Sequence, residues 1–334
     1  MMWSIPKLQP TRALKRIAVL TSGGDAPGMN AAVRAVVRTA LERGIEVFGV
    51  QKGFSGLVQG KLEPMDRSSV ANILHRGGTI LKTDRCDEFR QPSVRRKVAE
   101  DLRARGIEAL VVIGGDGSFT GAHLLEQETG LPVIGIPGTI DNDVYGTDET
   151  IGFDTAVNTA LEAIDRIRDT ATSHERTFLI EVMGRSAGFI AAAVGIAGGA
   201  EIVLLADSTM PLDAICATLK SSEERGKFSS LIVVAEGDDP NRTPNLTKAL
   251  NERGFQARAA ILGHIQRGGS PSGHDRVLAS VLGASAVDHL LAGQSNVMVG
   301  ISAGAIVSVP LAKVVGTKKP MSNDYIELAT VLAT

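Results

Sequence analysis

The sequence predicts an α/β protein built on mainly parallel sheets covered by helices. Three observations carry this. Near-continuous Val/Ile/Leu runs recur along the chain, the composition of strands buried on both faces. Segments of helical period separate them, so the rhythm is repeated βαβ. The 37 glycines, set against 4% aromatics, suit tight strand-to-helix turns.

In chain order the expected strands are Arg16–Leu20, Glu46–Val50, Ala109–Ile113, Val133–Ile136, Thr177–Val182, Glu201–Ala206, Leu231–Ala235 and Val297–Ile301. The expected helices between them include Asn30–Arg43, Val94–Arg105, Thr155–Thr170, Leu212–Glu224 and Arg276–Leu291. The Gly/Ala-rich stretch Ala187–Ala200 is short for a membrane span and reads as a buried helix. The first fifteen or so residues lack the apolar core of a signal peptide. Pro6 and Pro10 make them an expected flexible extension.

At 334 residues the chain exceeds a typical single core, so two domains are expected. No Pro/Gly/Ser-rich linker separates the halves, which allows more than one crossing between domains. The formal net charge of −2 excludes a global field that draws in nucleic acid or an anionic membrane. Anionic substrates would need positive charge gathered locally. Two distant cysteines, Cys86 and Cys216, make no disulfide framework, and a reducing cytoplasm is the expected compartment.

In parallel α/β folds ligands bind beyond the carboxyl ends of strands. The first strand runs into Thr21-Ser22-Gly23-Gly24-Asp25-Ala26-Pro27-Gly28, and the third into Gly114-Gly115-Asp116-Gly117-Ser118. Each turn precedes a helix, whose free N–H groups and dipole favour phosphate. One such turn alone reads equally as a tight connection. Two, each with an Asp, favour nucleotide phosphate with a divalent metal. Asp116 is either a turn-capping residue or an oxygen ligand of Mg²⁺. A Walker-type GxxxxGKS/T and a GxGxxG at dinucleotide spacing are both absent.

A third strand end carries Pro137-Gly138-Thr139-Ile140-Asp141-Asn142-Asp143. In an extended chain Thr139, Asp141 and Asp143 share one side, the carboxylate Cβ atoms roughly 6–7 Å apart. Phosphoryl transfer asks for a base at the acceptor hydroxyl and positive charge on the moving group. The competing reading is an Asx turn.

Six segments, TSGGDAPGMNAAVR (21–34), IGGDGS (113–118), PGTIDND (137–143), TIGFDTA (150–156), EVMGR (181–185) and GHIQRGG (263–269), stand in the order found in bacterial-type ATP-dependent 6-phosphofructokinases. The resemblance spans about residues 16–316. It implies two Rossmann-like domains, homotetramers and an active site between domains. The implied division is a 1–15 extension, an ATP-binding domain of 16–152 plus 266–315, and a fructose 6-phosphate domain of 153–265 plus 316–334. The implied reaction moves the γ-phosphoryl group of ATP to the 1-hydroxyl of fructose 6-phosphate, the committed step of glycolysis.

Carried over by position, Asp141 resembles the base, Asp143 lies beside the transferring group, and Thr139 contacts substrate. Arg185 resembles the arginine that stabilises the phosphoryl group, and Asp116 the aspartate associated with Mg²⁺. Gly23, Arg85, Cys86, Gly117, Ser118 and Gly121 match nucleotide contacts, with Arg90 nearby. Met183, Gly184, Glu236, His264 and Arg267 match sugar contacts. Arg176 and Arg258 match arginines that reach a neighbouring subunit's 6-phosphate. Outside the motif context, Arg176 and Arg258 read as solvated arginines, His264 as a core histidine and Met183 as packing.

The family also has pyrophosphate-dependent members, which usually carry Asp in place of Gly117 and Lys in place of Gly138. Gly at both fits ATP, while Lys82 departs from the small residue frequent at its position. Arg34, Arg38, Arg67, Arg168, Gly199, Glu201, Arg225 and Lys227 match an effector site for ADP or phosphoenolpyruvate. Arg34 and Arg38, four apart, read equally as a solvated helix face. Phe228 and Ser229 replace residues that are often basic in regulated relatives. A GGDG-containing kinase of NAD or lipid accounts for 114–117 but not for 181–185 or 264–267. A non-catalytic nucleotide sensor would not need Thr139, Asp141 and Arg185 together.

Overall fold

Strand β1 (Arg16–Thr21) is buried along five of its six residues, as its apolar run requires. The computed structural model describes residues 3–332 apart from Ser186, Ser208 and Thr209. After β1 come α1 (Met29–Glu42), β2 (Glu46–Val50), α2 (Gly53–Val58), β3 (Leu62–Met65), a 3-10 turn at Asp87–Arg90, α3 (Pro92–Ala104), β4 (Ala109–Gly114), α4 (Asp116–Thr129) and β5 (Val133–Pro137). Then follow α5 (Phe153–His174), β6 (Thr177–Val182), α6 (Phe189–Ala197), β7 (Ile202–Leu204), α7 (Leu212–Glu224), β8 (Ser230–Ala235), α8 (Arg242–Glu252), β9 (Ala257–Ile261) and a 3-10 turn at Gly263–Arg267. The chain ends with α9 (Gly273–Leu291), β10 (Val297–Ser302), β11 (Ala305–Pro310), α10 (Leu311–Val314) and α11 (Asn323–Leu332).

Two compact units result. Unit 1 holds the residues up to Thr139, with Val144–Asp154 and Arg267–Lys319; unit 2 holds Ile140–Asp143, Thr155–Gln266 and the chain from Pro320 on. The expected boundaries at 152, 265 and 315 compare with 154, 266 and 319 here. The excursion at Ile140–Asp143 has no counterpart in the sequence reading.

In unit 1 seven strands run in the order β11-β10-β5-β4-β1-β2-β3. The inner five pair in parallel, and the two edge strands β3 and β11 are antiparallel. From β1 the chain moves outward to β2, while from β4 it moves the other way to β5. The strand order therefore reverses between β1 and β4, the position where such sheets bind ligands. Thr21 and Ile113 are partners there, so the two Gly-rich turns leave from neighbouring strand ends. All of β4 is buried, and each of its apolar side chains contributes roughly 1.5–3 kcal/mol. Helix α9 lies on α1 so closely that a Cβ on Gly283 would stand 2.7 Å from the Cβ of Ala35. Ser272 caps α9 by accepting the Asp275 N–H at 3.1 Å.

Unit 2 has four parallel strands in the order β7-β8-β6-β9. Strand β8 is buried throughout, and helices α7 and α8 supply Ile215, Leu219 and Leu250 to its core. The ends of β8 and β9 flank that of β6: the Glu236 N–H donates to Val182 O (2.8 Å) and the Leu262 N–H to Glu181 O (3.0 Å).

Strands β3, β9 and β11 and helices α2, α8, α10 and α11 were not expected. In β9 only Ala257 is buried, so no apolar run marks it, and β3 carries Pro64 on a sheet edge. The strand expected at Glu201–Ala206 is shorter at both ends, β7; at its start the buried Glu201 takes the Leu231 N–H with its side chain at 2.5 Å. Among the described residues no helix is long and apolar enough to cross a membrane.

The segment expected as a flexible extension is tied along α9. Ser4 forms a parallel bridge to Ala305 and exchanges hydrogen bonds with Gly304 and Ile306, both 3.0 Å. The N–H groups of Thr11 and Arg12 donate to Leu291 O at 2.8 and 2.9 Å, capping the end of α9. Trp3 packs edge-on against His274 in the first turn of that helix, with ring centroids 5.3 Å apart, and His274 also pairs with Glu149. Residues 3–11 in extended form reach about 26 Å, close to the roughly 28 Å length of α9. Removing the residues before Leu14 deletes these four backbone hydrogen bonds, each worth about 1 kcal/mol. The thermal midpoint is expected to fall by about 5–10 °C; an unchanged midpoint in calorimetry would show that the strap contributes nothing.

Candidate active site

The first phosphate turn of unit 1 is shaped from beneath by residues 75–83. Asn30, on α1, donates to the carbonyls of Arg76 (3.0 Å) and Gly77 (3.1 Å) and accepts the Ile80 N–H (2.8 Å). Thr21 donates to Lys82 O at 2.9 Å and shares a 2.8 Å hydrogen bond with Thr79, while Thr83 donates to Gly23 O at 2.7 Å. Lys82 takes a left-handed backbone (φ 59°) with its side chain exposed. Gly23 and Gly24 remain exposed at the top. The guanidinium of Arg267 lies over Gly24, where a Cβ would fall 2.0 Å from Nη1, and that nitrogen donates to Asp25 O at 3.4 Å. Arg267 thus belongs to the first phosphate turn in this conformation.

The second turn leads into α4. Its first residue, Asp116, is exposed at the helix N-terminus, and Ser118 is buried behind it. A Cβ on Gly23 would stand 3.3 Å from Ser118 Oγ, so the two turns meet. A Cβ on Gly117 would find no protein atom within 4 Å, so the fold itself does not require glycine there and the space is open to a ligand. At Gly138 a Cβ would press on Ile113 Cγ2 (3.1 Å) and Met29 Cε (3.2 Å), which gives that glycine a packing reason independent of any ligand. Thr139 follows, its N–H on Ile151 O (3.1 Å), with Gly115 beside it.

Among the other residues matched to nucleotide contacts, Arg85 is exposed and Cys86 half-buried, at the entry to the 3-10 turn. Arg90 is exposed and pairs with Asp87 at 3.5 Å. Gly121 faces Phe54 and Phe89, which stack at 4.3 Å between centroids. Arg95, buried under this turn, holds Phe89 O at 2.7 Å and forms a two-pronged pair with Glu128. This pair holds the Glu128 carboxyl below its ordinary range. Phe54, Phe89 and Arg95 lay outside the sequence reading because no motif marks them; an Arg on the apolar face of α3 was the available signal.

Within unit 2 a second set of the matched residues comes together. Asp141 is 1% exposed, and Arg185 Nε lies 3.3 Å from its Oδ2. The Arg185 N–H donates to Glu236 Oε1 at 3.1 Å. Met183 is buried and its N–H reaches Gln266 Oε1 at 2.8 Å. Gly184 (φ 132°) and Arg185 (φ 50°) turn the chain sharply after β6. The extended geometry expected for Thr139–Asp143 does not hold. Asn142 is left-handed (φ 51°), Ile140 and Asp141 form a turn, and Thr139 falls in unit 1. Asn tolerates that conformation where bulkier residues strain. The two carboxylates therefore sit differently, Asp141 buried and Asp143 half-buried.

His264 is exposed, which removes its reading as a core histidine. Arg258 is exposed on the edge strand β9 and donates to Ala257 O. Arg176 is half-buried, with an Nε that has no hydrogen-bond partner among the described residues.

The residues matched to an effector site divide between the units. Arg34 and Arg38 share one face of α1; burial, then the charge of Arg38, lowers the pKa of Arg34. Arg67 pairs with Glu42 at 2.6 Å. In unit 2 Arg168 donates to the carbonyls of Gly198 and Gly199 at the end of α6, Glu201 pairs with Lys227, and Arg225 bonds Ser221 and Ser222.

Fold and turns together define an α/β protein with two Gly-rich strand-to-helix turns at a strand-order reversal, an arrangement that suits phosphate. The family model described as Phosphofructokinase matches residues 16–290. The chain is 56% identical over 321 residues to an ATP-dependent 6-phosphofructokinase of Thermus thermophilus and 51% identical over 331 residues to one of Halothermothrix orenii. Both matches cover 96% of this chain and all of the relative. Among solved structures, phosphofructokinase from Saccharomyces cerevisiae superposes with a TM-score of 0.84 at 39% identity, covering 90% of this chain and 45% of the yeast chain. A pyrophosphate-dependent phosphofructokinase from Marinobacter aquaeolei, at 24% identity and a TM-score of 0.81, shares the fold. This chain belongs to the phosphofructokinase family.

Burial, and then the charges of Glu88, Asp84 and Asp87, raise the Cys86 thiol above its ordinary pKa, outweighing the opposing hydrogen bond from the Phe89 N–H. The neutral thiol is the unreactive form. At pH 7 iodoacetamide is expected to label Cys86 more slowly than free glutathione; labelling at an equal or faster rate would contradict this environment.

Proposed function

We propose that this chain transfers the γ-phosphoryl group of ATP to the 1-hydroxyl of fructose 6-phosphate. The observation that carries this reading is the full-length similarity, at 51–56% identity, to ATP-dependent 6-phosphofructokinases. The open space at Gly117 supports ATP as the donor, since a nucleotide needs that room and an Asp side chain would occupy it. Gly138 bears on the donor as well, and close packing on Ile113 and Met29 also favours a small residue there.

In this reading unit 1 is the ATP-binding domain and unit 2 the fructose 6-phosphate domain. Gly23, Asp116, Gly117 and Ser118 hold the nucleotide phosphates, with Arg85, Cys86 and Gly121 toward the base and ribose. No group of three or more His, Cys, Asp or Glu side chains suited to a metal occurs among the described residues. One exposed carboxylate at a helix N-terminus fits Mg²⁺ carried in by nucleotide phosphates, since that ion keeps water and phosphate oxygens as most of its ligands. When bound, Mg²⁺ neutralises charge on the β- and γ-phosphates.

Asp141 accepts the proton of the 1-hydroxyl, its carboxylate held by Arg185 at 3.3 Å. Arg185, itself 64% exposed at the side chain, is able to turn its remaining N–H groups toward the transferring phosphoryl. Asp143 and Thr139 complete the catalytic set. Glu236, Met183 and Gly184 face the sugar. His264, Arg267, Arg176 and Arg258 supply charge for the 6-phosphate, the last two to a neighbouring subunit of a homotetramer in the cytoplasm. Arg34, Arg38, Arg67, Arg168, Gly199, Glu201, Arg225 and Lys227 form an anion-binding effector site for ADP or phosphoenolpyruvate.

Replacing Asp141 with Ser should lower kcat by about 10²–10⁴-fold while fructose 6-phosphate still binds; turnover near wild type would remove the base assignment. In a coupled assay with fructose 6-phosphate and Mg²⁺, ATP should support turnover and pyrophosphate should not. Equal rates with both donors would overturn the donor assignment.

A further inference from the structure

Arg185 occupies a backbone conformation that a residue with a side chain adopts at a cost of about 1–3 kcal/mol. Its predecessor, Gly184, also has positive φ. Such a turn persists only when its surroundings hold it. Two of its anchors belong to the acceptor side already described, Glu236 on the Arg185 N–H and Asp141 on its guanidinium. The third comes from elsewhere. Gln266, fully buried, accepts the Met183 N–H at 2.8 Å and so fixes the residue at which the turn begins.

Gln266 sits in the 3-10 turn Gly263–Arg267, two residues after His264 and one before Arg267. Its Nε2 is buried and has no hydrogen-bond partner among the described residues. A buried amide nitrogen left unpaired costs about 1–3 kcal/mol. A Leu of similar size would remove the unpaired nitrogen, but it cannot accept the Met183 N–H and would leave that buried donor unpaired at a similar cost. The two costs nearly offset, so the exchange changes the geometry of Met183–Arg185 more than it changes stability.

We infer that Gln266 is a positioning residue that couples the turn carrying His264 to the backbone of Arg185. The inference rests on the proposed function, in which His264 and Arg267 meet the 6-phosphate and Arg185 meets the transferring phosphoryl. Holding the 6-phosphate then also sets the Met183–Arg185 turn through a single side chain. Binding energy gained at a part of the sugar that does not react is thereby used at the part that does.

The test compares Gln266→Leu with Gln266→Glu, which keeps an oxygen acceptor for the Met183 N–H. For Leu, kcat with fructose 6-phosphate should fall about 10- to 100-fold, the loss expected when a reacting group is misplaced by about 1 Å. Its KM for ATP should stay within about two-fold and its thermal midpoint within about 5 °C of the wild type. For Glu, kcat should recover to within about five-fold of wild type. A merely structural role would instead lower the midpoint of the Leu variant by more than this, together with its kcat, and give no recovery with Glu. If the Leu variant fails to fold, Gln266→Met takes its place in the comparison. A Leu variant with wild-type kcat, or a Glu variant no better than Leu, overturns the inference and leaves the proposed activity standing. A wild-type chain inactive with fructose 6-phosphate sinks both.

Discussion

The contact of α9 with α1 holds unit 1 together. Helix α1 comes from the start of the chain and α9 from near its end, and they approach until Gly283 touches Ala35. No larger residue than glycine fits without moving a backbone, since Ala32 O would lie 2.8 Å from the new Cβ. Through this crossing the third segment of unit 1 is fixed against the first, and β10 is delivered beside β5. The same crossing places the lead-in to α9 against the phosphate turn. Gly77, for example, lies so near Gly269 that a Cβ would stand 2.2 Å from its carbonyl oxygen. The loop beneath the first Gly-rich turn thus depends on helix packing some distance from it.

Unit 2 solves a different problem. Its sheet is small, and after the end of β6 the chain holds an arginine, Arg185, in a conformation that the backbone resists, the residue proposed to meet the phosphoryl group. The solution is to bind the turn from neighbouring strands, Glu236 from the end of β8 and Gln266 from beyond β9. Parallel register makes this possible, because it brings three strand ends level with one another. A residue whose exposed charge is needed at one point can then be held by partners that are themselves held by the sheet.

Much of this was legible in the sequence. Buried parallel strands announce themselves by continuous apolar runs, and β2 and β6 were placed to the residue. The Gly-rich turns were legible because phosphate binding and tight turns ask for the same residue. Edge strands were less visible, since β9 and β3 lack the burial that writes a pattern. The geometry of Ile140–Asp143 was misread for a local reason. Alternation along an extended chain is a fair assumption after a strand, but Asn142 breaks it by turning left-handed. Phe54 and Phe89 were silent because spacing carries no record of what a side chain touches, and Gln266, though inside the 263–269 segment, was given no role for the same reason. At Gly138 the sequence reading named only the donor, while the structure adds close packing on Ile113 and Met29.

The division of unit 1 among distant segments bears on how the protein is made. Ribosomes deliver the chain from its amino end at roughly 5–20 residues per second, so residues 1–139 emerge long before 267–319. Until the last of these leave the tunnel, β5 lacks β10, α1 lacks α9, and the strap at Ser4–Arg12 has nothing to hold. The bulk of unit 2, from Thr155 to Gln266, is contiguous and able to fold while the first segment waits. During that interval of about 10–35 seconds, a half-built parallel sheet stands with an uncovered strand edge, the kind of surface that makes a nascent chain prone to aggregate.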